Sequence, residues 1–142
     1  MDEGVRVPFM LKLEIVTPEK KVLDAEVESV TIPTASGEAG ILTNHAPLVS
    51  ELKPGVLSYT SKSGSDKIAV SGGFVEVSDN KVSVLTDSAE TADEIDLNDA
   101  KTEREAAEKE LAAVASSDIE STSAVRERLE AANARVQLAS GK

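Results

Sequence analysis

The chain has 142 residues, a formal net charge of −11 and no cysteine. That length suits one domain, or one small domain with an appendage. The missing thiol excludes a disulfide framework, a thiolate metal site and a cysteine nucleophile. Carboxylates outnumber cations in both halves, so no basic patch is left for nucleic acid or anionic lipid. No apolar run approaches the roughly 20 residues that span a bilayer, and no charged-then-apolar leader suggests secretion. The aromatic side chains are Phe9, Tyr59 and Phe74. A core must therefore be built from Val, Leu, Ile and Ala, and it will be small.

In chain order, Leu11, Leu13 and Ile15 alternate with Lys12 and Glu14, the pattern of a half-buried strand. Thr17-Pro18 ends it. Residues 22–32 are again β-rich, with Glu26 and Glu28 on one face and Val27 on the other. Val30 and Ile32 then take the parity of those glutamates. Such a switch predicts a bulge or a strand passing between two sheets. Pro33, lacking an N–H, is expected to close that strand.

Residues 37–49, with Lys53-Pro54-Gly55 soon after, read as an oddly apolar connection. Loops normally shed apolar residues, yet Ile41, Leu42, Leu48 and Val49 sit here among turn formers. The segment either folds onto its own core or docks on something else. Glu38, framed by Gly37 and Gly40, is expected on a narrow exposed turn. His45 is the chain's only histidine; it either hydrogen-bonds the loop's own backbone or meets a partner.

Residues 56–61 and 67–71 predict a hairpin around Ser63-Gly64-Ser65-Asp66. Residues 73–77 and 81–86 predict another turning at Asp79-Asn80, residues that tolerate a left-handed backbone. Short strands with turns at this spacing indicate an antiparallel sandwich or barrel. Ser71-Gly72-Gly73 lacks a following helix and a lysine, so it reads as close packing or a bend rather than a phosphate loop.

Beyond Asp93 the period becomes helical. Asp96 or a near neighbour can cap a first helix, with Asp99 three residues on as an imperfect capping box, and its face is Leu97, Ala100, Ala107, Leu111 and Val114, interrupted by Arg104. Ser116-Ser117-Asp118 breaks the pattern, and Ser117 with Glu120 forms a capping box. Ile119, Thr122, Val125, Leu129, Ala132, Val136 and Ala139 then make a second stripe. Two helices of about 20 residues, each about 30 Å long, form an antiparallel hairpin. Its alanine-rich seam buries little area per residue, so the hairpin must dock elsewhere to be stable.

The ordered blocks Gly37-Glu38-x-Gly40-Ile41-Leu42, Asn44-His45-Ala46-Pro47-Leu48 and Leu52-Lys53-Pro54-Gly55 resemble the signature of the epsilon subunit of bacterial F-type ATP synthases, called delta in mitochondria. Three separated blocks at set spacing make the match specific, and the resemblance runs from Leu11 to about Leu138. It implies an α+β chain, with an N-terminal antiparallel β-sandwich or barrel over 1–90 and a C-terminal two-helix hairpin over 91–142. It implies a non-catalytic rotor subunit without cofactor or metal, coupling the gamma subunit to the membrane c-ring of a proton-translocating synthase. The chain would lie peripherally at the cytoplasmic face of the bacterial plasma membrane. By motif, Gly37, Glu38, Ala39, Gly40 and Ile41 would face the c-ring, and His45, Ala46, Pro47 and Leu48 the gamma subunit.

Some family members bind ATP through Ile/Leu-Asp-x-x-Arg-Ala at the first helix. The matching positions include Ile95, Asp96, Asp99 and Ala100. Asp99 stands where that motif has arginine, and a carboxylate repels polyphosphate, so ATP binding is expected to be weak or absent. In the family's extended conformation, basic residues of the second helix reach the catalytic alpha and beta subunits and block rotation. Arg126, Arg128 and Arg135 are the candidates, with plain solubilising charges as the alternative.

Two other function classes compete. A free-standing β-sandwich ligand module with a helical tail needs a pocket of convergent polar groups, and scarce aromatics argue against sugar. An enzyme on a small β-barrel would need serine and aspartate converging on His45, and Ser50 and Asn44 nearby lack a nucleophile-elbow context.

Overall fold

The computed structural model describes residues 10–114 and 118–141. Ten strands come first: β1 (Leu11–Val16), β2 (Lys21–Val27), β3 (Ser29–Thr34), β4 (Gly37–Ile41), β5 (Leu48–Leu52), β6 (Gly55–Ser61), β7 (Gly64–Val70), β8 (Gly73–Ser78), β9 (Lys81–Thr86) and β10 (Ala89–Glu90). A 3-10 turn at Ala92–Glu94 leads to helices α1 (Leu97–Ala113) and α2 (Ile119–Ser140).

The strands hydrogen-bond in the order β10-β7-β6-β3-β5-β8-β9-β1-β2, with β4 on the other side of β3. This is the expected sandwich, nearly closed. One ladder has the opposite sense: β1 and β9 run parallel, Leu13 beside Val82 and Ile15 beside Val84. Period-two alternation looks the same for both senses, so the sequence carried no sign of it. Leu11, Leu13 and Ile15 pack with Val27, Ile32, Ile41, Leu57, Val75 and Val84 in a core of aliphatic side chains.

The face switch before Val30 is a change of partner. β2 pairs with β1 and ends at Val27, while β3 begins at Ser29 and pairs with β4 and β6. Glu28 N donates to Thr60 O at 2.7 Å as the chain crosses over. Val27 and Val30 are both buried, because two strands meet there with different registers.

Three local expectations change. Residues 37–49 are mostly strand: β4 and β5 account for both ends, and residues 42–47 connect them. Glycines at 37 and 40 mimic a turn, but Ile41 is fully buried and anchors β4 to the core. Pro33 lies inside β3, opposite Glu38, and its carbonyl accepts from Lys53 N at 2.9 Å. An antiparallel ladder uses each strand's N–H groups toward one neighbour only at alternate positions, so a missing donor there is tolerated. The β6–β7 hairpin is tighter than expected. Ser61 pairs with Gly64 across Lys62-Ser63, since Gly64 at φ +128° carries the reversal. The β8–β9 turn falls as expected on Asp79 and Asn80, at φ 51° and 62°.

Asp96 caps α1, its Oδ1 accepting from Asp99 N at 3.1 Å. The proposed Ser117 box lies outside the described residues in part, and the cap of α2 is Asp118. Its carboxylate accepts from Ser121 N at 3.1 Å and from Ser121 Oγ at 2.8 Å. These hydrogen bonds from Ser121, the backbone one foremost, hold the Asp118 carboxyl below its ordinary value. A depressed folded-state value makes the cap's contribution present above the ordinary aspartate range and lost as pH falls through the depressed one. Asp118→Ala is therefore expected to lower helix content at pH 7 and to flatten the acid limb of a circular-dichroism titration.

α2 buries more than the expected stripe. Val125, Ala132, Val136 and Ala139 are buried as predicted, but so are Ala134 and Leu138, while Ile119 is 76% exposed. The helix packs on α1 along one side and on the sandwich along another. Ala134, Val136, Leu138 and Ala139 share a small core with Ala69, Ile95 and Ala100, with Val56 packed against it.

Candidate functional site

The acidic turn is built by the β3–β4 hairpin. Thr34 Oγ1 donates to Gly37 O at 2.6 Å and accepts from Ser36 N at 3.2 Å, which closes the loop over Ala35-Ser36. Gly37 adopts φ +111°, a region that favours glycine. Glu38 follows in strand conformation, exposed, with no ion pair among the described residues. Gly40 differs from Gly37: its φ is outside the left-handed region, and an added Cβ would meet nothing within 4 Å. The fold does not require glycine there, so its smooth backbone is available to a neighbour. Ala39 is half-buried. The Ile41 side chain belongs to the core and is not part of any surface.

The second expected surface is the 42–47 connection. His45 N donates to Leu42 O at 3.3 Å. Asn44, at φ 63°, donates its N–H to Asn80 Oδ1 at 2.6 Å, tying the loop to the β8–β9 turn. His45 Nδ1 lies 2.7 Å from Ala46 O; a carbonyl only accepts, so Nδ1 donates. Leu42 is 64% exposed. Ala46 and Pro47 are exposed, and Leu48 is half-buried against the core. Gly37 pairs with Thr34, which pairs with Leu52, whereas Leu48 faces Val77 near Asn80. The acidic turn and the histidine loop thus lie toward opposite ends of β5.

A third surface joins Val49, expected either in the core or on a partner, to Phe74 and Leu85, for which no surface role was expected. Val49, Phe74 and Leu85 are 73%, 62% and 56% exposed. Phe74 pairs with Leu85 across β8–β9, and Leu85 with Val16 across β9–β1. The result is an apolar strip on the outer face of the sheet. Its signal was in the sequence: Phe74 and Leu85 occupy positions where alternation with Val75, Val77, Val82 and Val84 calls for polar residues. The carboxylates beside it, Glu51 opposite Phe74 and Glu76 opposite Val49, have no ion pair among the described residues. The other half of that face is internally neutralised, with Lys21 and Lys81 on Glu14 at 3.0 and 3.1 Å and Lys12 on Asp24 at 3.7 Å. Accordingly Lys21 first, then Lys81, hold the Glu14 carboxyl below its ordinary value.

In the hairpin, the nucleotide-motif positions serve internal ends. Ile95 and Ala100 are buried, Asp96 caps α1, and Asp99 Oδ2 lies 4.0 Å from Arg135 Nη2. Of the candidate arginines, Arg128 pairs with Glu110 at 2.6 Å. Arg135 pairs with Glu90 at 2.8 Å and with Glu103. Arg126 is exposed, with no ion pair among the described residues. Burial by itself pulls the Arg135 value down; hydrogen bonds to Glu90 and the charges of Glu90 and Glu103 more than offset this and raise it above its ordinary value. No described helix is long and apolar enough to cross a membrane.

These features define a β-sandwich that carries an acidic turn, a structured loop and an uncovered apolar strip, with an appended helical hairpin. The family described as "ATP synthase, Delta/Epsilon chain, beta-sandwich domain" matches residues 10–92. The ATP synthase epsilon chain of Desulfitobacterium hafniense strain Y51 is 52% identical over 99 residues, covering 70% of this chain and 75% of that one. The epsilon chain of Carboxydothermus hydrogenoformans is 48% identical over 102 residues, covering 72% and 76%. A chain in the cryo-EM structure of the Euglena gracilis mitochondrial ATP synthase, OSCP/F1/c-ring, superposes with a TM-score of 0.76 at 25% identity, over 96% of this chain and 85% of that one. A chain of the Tetrahymena thermophila mitochondrial ATP synthase central stalk/c-ring gives 0.55 at 17% identity, over 92% and 94%, and bears on the fold alone. The chain belongs to the delta/epsilon chain family of the ATP synthase. Within the synthase it is a non-catalytic subunit.

Proposed function

We propose that the chain works in the central stalk of a proton-translocating F-type synthase, coupling the gamma subunit to the c-ring. The observation that carries this reading is the apolar strip of Val49, Phe74 and Leu85 left uncovered on a rigid sheet. A monomer rarely exposes such a strip without a partner for it. Glu38 and Gly40 on β4 are the surface for the basic loops of the ring. His45, Ala46, Pro47 and the exposed part of Leu48, together with the apolar strip, are the surface for gamma. A close-packed sandwich deforms little under load, which suits a part that passes torque. The subunit would sit at the cytoplasmic face of the plasma membrane, held there through the ring. Co-purification of the tagged chain with gamma and c subunits tests the proposal; a free monomer in a strain that assembles synthase would refute it.

The hairpin is read as a brake on ATP hydrolysis. With Arg128 and Arg135 engaged internally, Arg126 is the candidate arginine with no ion pair among the described residues in the docked form. Deleting the residues beyond Ser116 is expected to raise hydrolysis by the assembled enzyme, and unchanged hydrolysis would reduce the hairpin to an appendage. The groove between α1 and α2 is not read as an ATP site. Glu90, Asp99 and Glu103 line it, and its two arginines already have carboxylate partners. Calorimetric titration with Mg-ATP is expected to give no binding in the micromolar range; micromolar affinity would overturn this.

A further inference from the structure

We infer that Arg135 is an ionic latch that holds the hairpin on the sandwich without any nucleotide. Three observations converge. The apolar contact between hairpin and sandwich is small and half alanine, with Ile95, Val136 and Leu138 as its larger buried members and Val56 and Leu97 packed against them. Small side chains remove little area from water, so this contact is weakly held by apolar burial. Secondly, Arg135 joins three elements at once. Its Nε donates to Glu90 Oε1 of β10 at 2.8 Å and its Nη2 to Glu90 Oε2 at 3.4 Å, while Nη1 donates to Glu103 of α1. This forked geometry is the strong form of a guanidinium–carboxylate pair, and the Arg135 side chain is only 18% exposed.

The third observation is what the other ion pairs do. Arg128 with Glu110 ties α2 to α1 only, so it travels with the hairpin. Lys53 lies 3.9 Å from both Glu127 and Glu130 on a largely exposed site, where a lysine pair is weak. Arg135 is thus the strong polar tie between hairpin and sandwich among the described residues. Carboxylates occupy the groove in place of phosphates: Asp99, Glu103 and Glu90 surround the guanidinium that an anionic ligand would otherwise need. The latch deepens the proposed braking role, because releasing Arg135 from Glu90 frees the same charge for carboxylates of another chain.

The chain has no cysteine, so two can be introduced as label sites. Ser65 on β7 and Gln137 on α2 border one groove. Spin labels on Ser65→Cys and Gln137→Cys in the full chain report docking as a distance distribution by double electron–electron resonance. The parent is expected to show one short population whose long-distance fraction grows severalfold between about 0.05 and about 0.5 M KCl, as charge is screened. Arg135→Gln is expected to raise that fraction severalfold at low salt and to lose most of the salt response, while Arg126→Gln matches the parent. Glu90→Gln with Glu103→Gln should reproduce the release from the other side, which keeps the test decisive if Arg135→Gln folds poorly. A parent-like distribution in both variants at every salt concentration would overturn the latch. Because the measurement uses the free subunit, its outcome is separate from whether the assembled enzyme is inhibited.

Discussion

Replacing Gly73 by alanine is expected to cost the sandwich roughly 3 kcal/mol or more. Gly73 opens β8 at φ +142°, where an L side chain is strained by about 1–3 kcal/mol. An added Cβ would also overlap the Leu85 carbonyl oxygen, with the Leu85 carbonyl carbon 2.9 Å and Thr86 Cα 3.0 Å away. All three atoms are backbone of the neighbouring strand, so no side chain can swing aside. Relief requires β8 and β9 to separate where they pair Gly73 with Thr86. Thr86 Oγ1 donates to Gly72 O at 2.6 Å at the same corner, so that bond would be lost with the pairing. Urea denaturation of the two proteins side by side measures the effect. Gly40→Ala is the internal contrast. Its Cβ enters open space, so stability should stay within about 0.5 kcal/mol while contact with the ring weakens. A Gly73→Ala protein as stable as the parent would mean that the β8–β9 corner is not built as described.

The second large effect concerns binding. Phe74→Ala and Leu85→Ala should each weaken association with the gamma subunit by about 2 kcal/mol, roughly thirtyfold in Kd. Both side chains face solvent in the isolated chain, so truncation leaves no cavity and folding stability should move by less than about 0.5 kcal/mol. Glu51 and Glu76 beside the strip should act mainly on the association rate and its salt dependence, as rim charges do. Surface plasmon resonance on immobilised gamma separates the two behaviours. Binding unchanged in the Phe74→Ala, Leu85→Ala double variant would remove the strip from the interface and leave the 42–47 loop to carry it.

How much of this was readable beforehand depended on the range of the interaction. The strand pattern of Leu11, Leu13 and Ile15, the turn at Asp79-Asn80 and the cap at Asp96 are decided within a few residues, and all three stand as expected. The switch of face before Val30 was also visible, because parity is a local property. The error over residues 37–49 arose from reading glycines as turns when Ile41 and Leu48 were strand residues facing the core. The strip of Phe74 and Leu85 was legible as broken alternation, yet apolar residues in a small protein are readily assigned to a core. The second buried face of α2, with Ala134 and Leu138, gave no signal of its own. A helix stripe reports one partner, and α2 has two.

The linear chain alone determined a β-rich first part, a helical second part, and a three-block segment specific enough to mark the family. It did so because periodicity, capping and motif spacing are written in neighbouring residues. Only the tertiary structure decided that β1 lies parallel to β9, that Glu38 and His45 sit toward opposite ends of β5, and that Arg135 reaches Glu90 across 45 positions of sequence. Those facts depend on which strands pair and which faces meet. Hydrophobic burial is non-directional, so apolar patterning specifies that a core forms without specifying which distant charges it brings together.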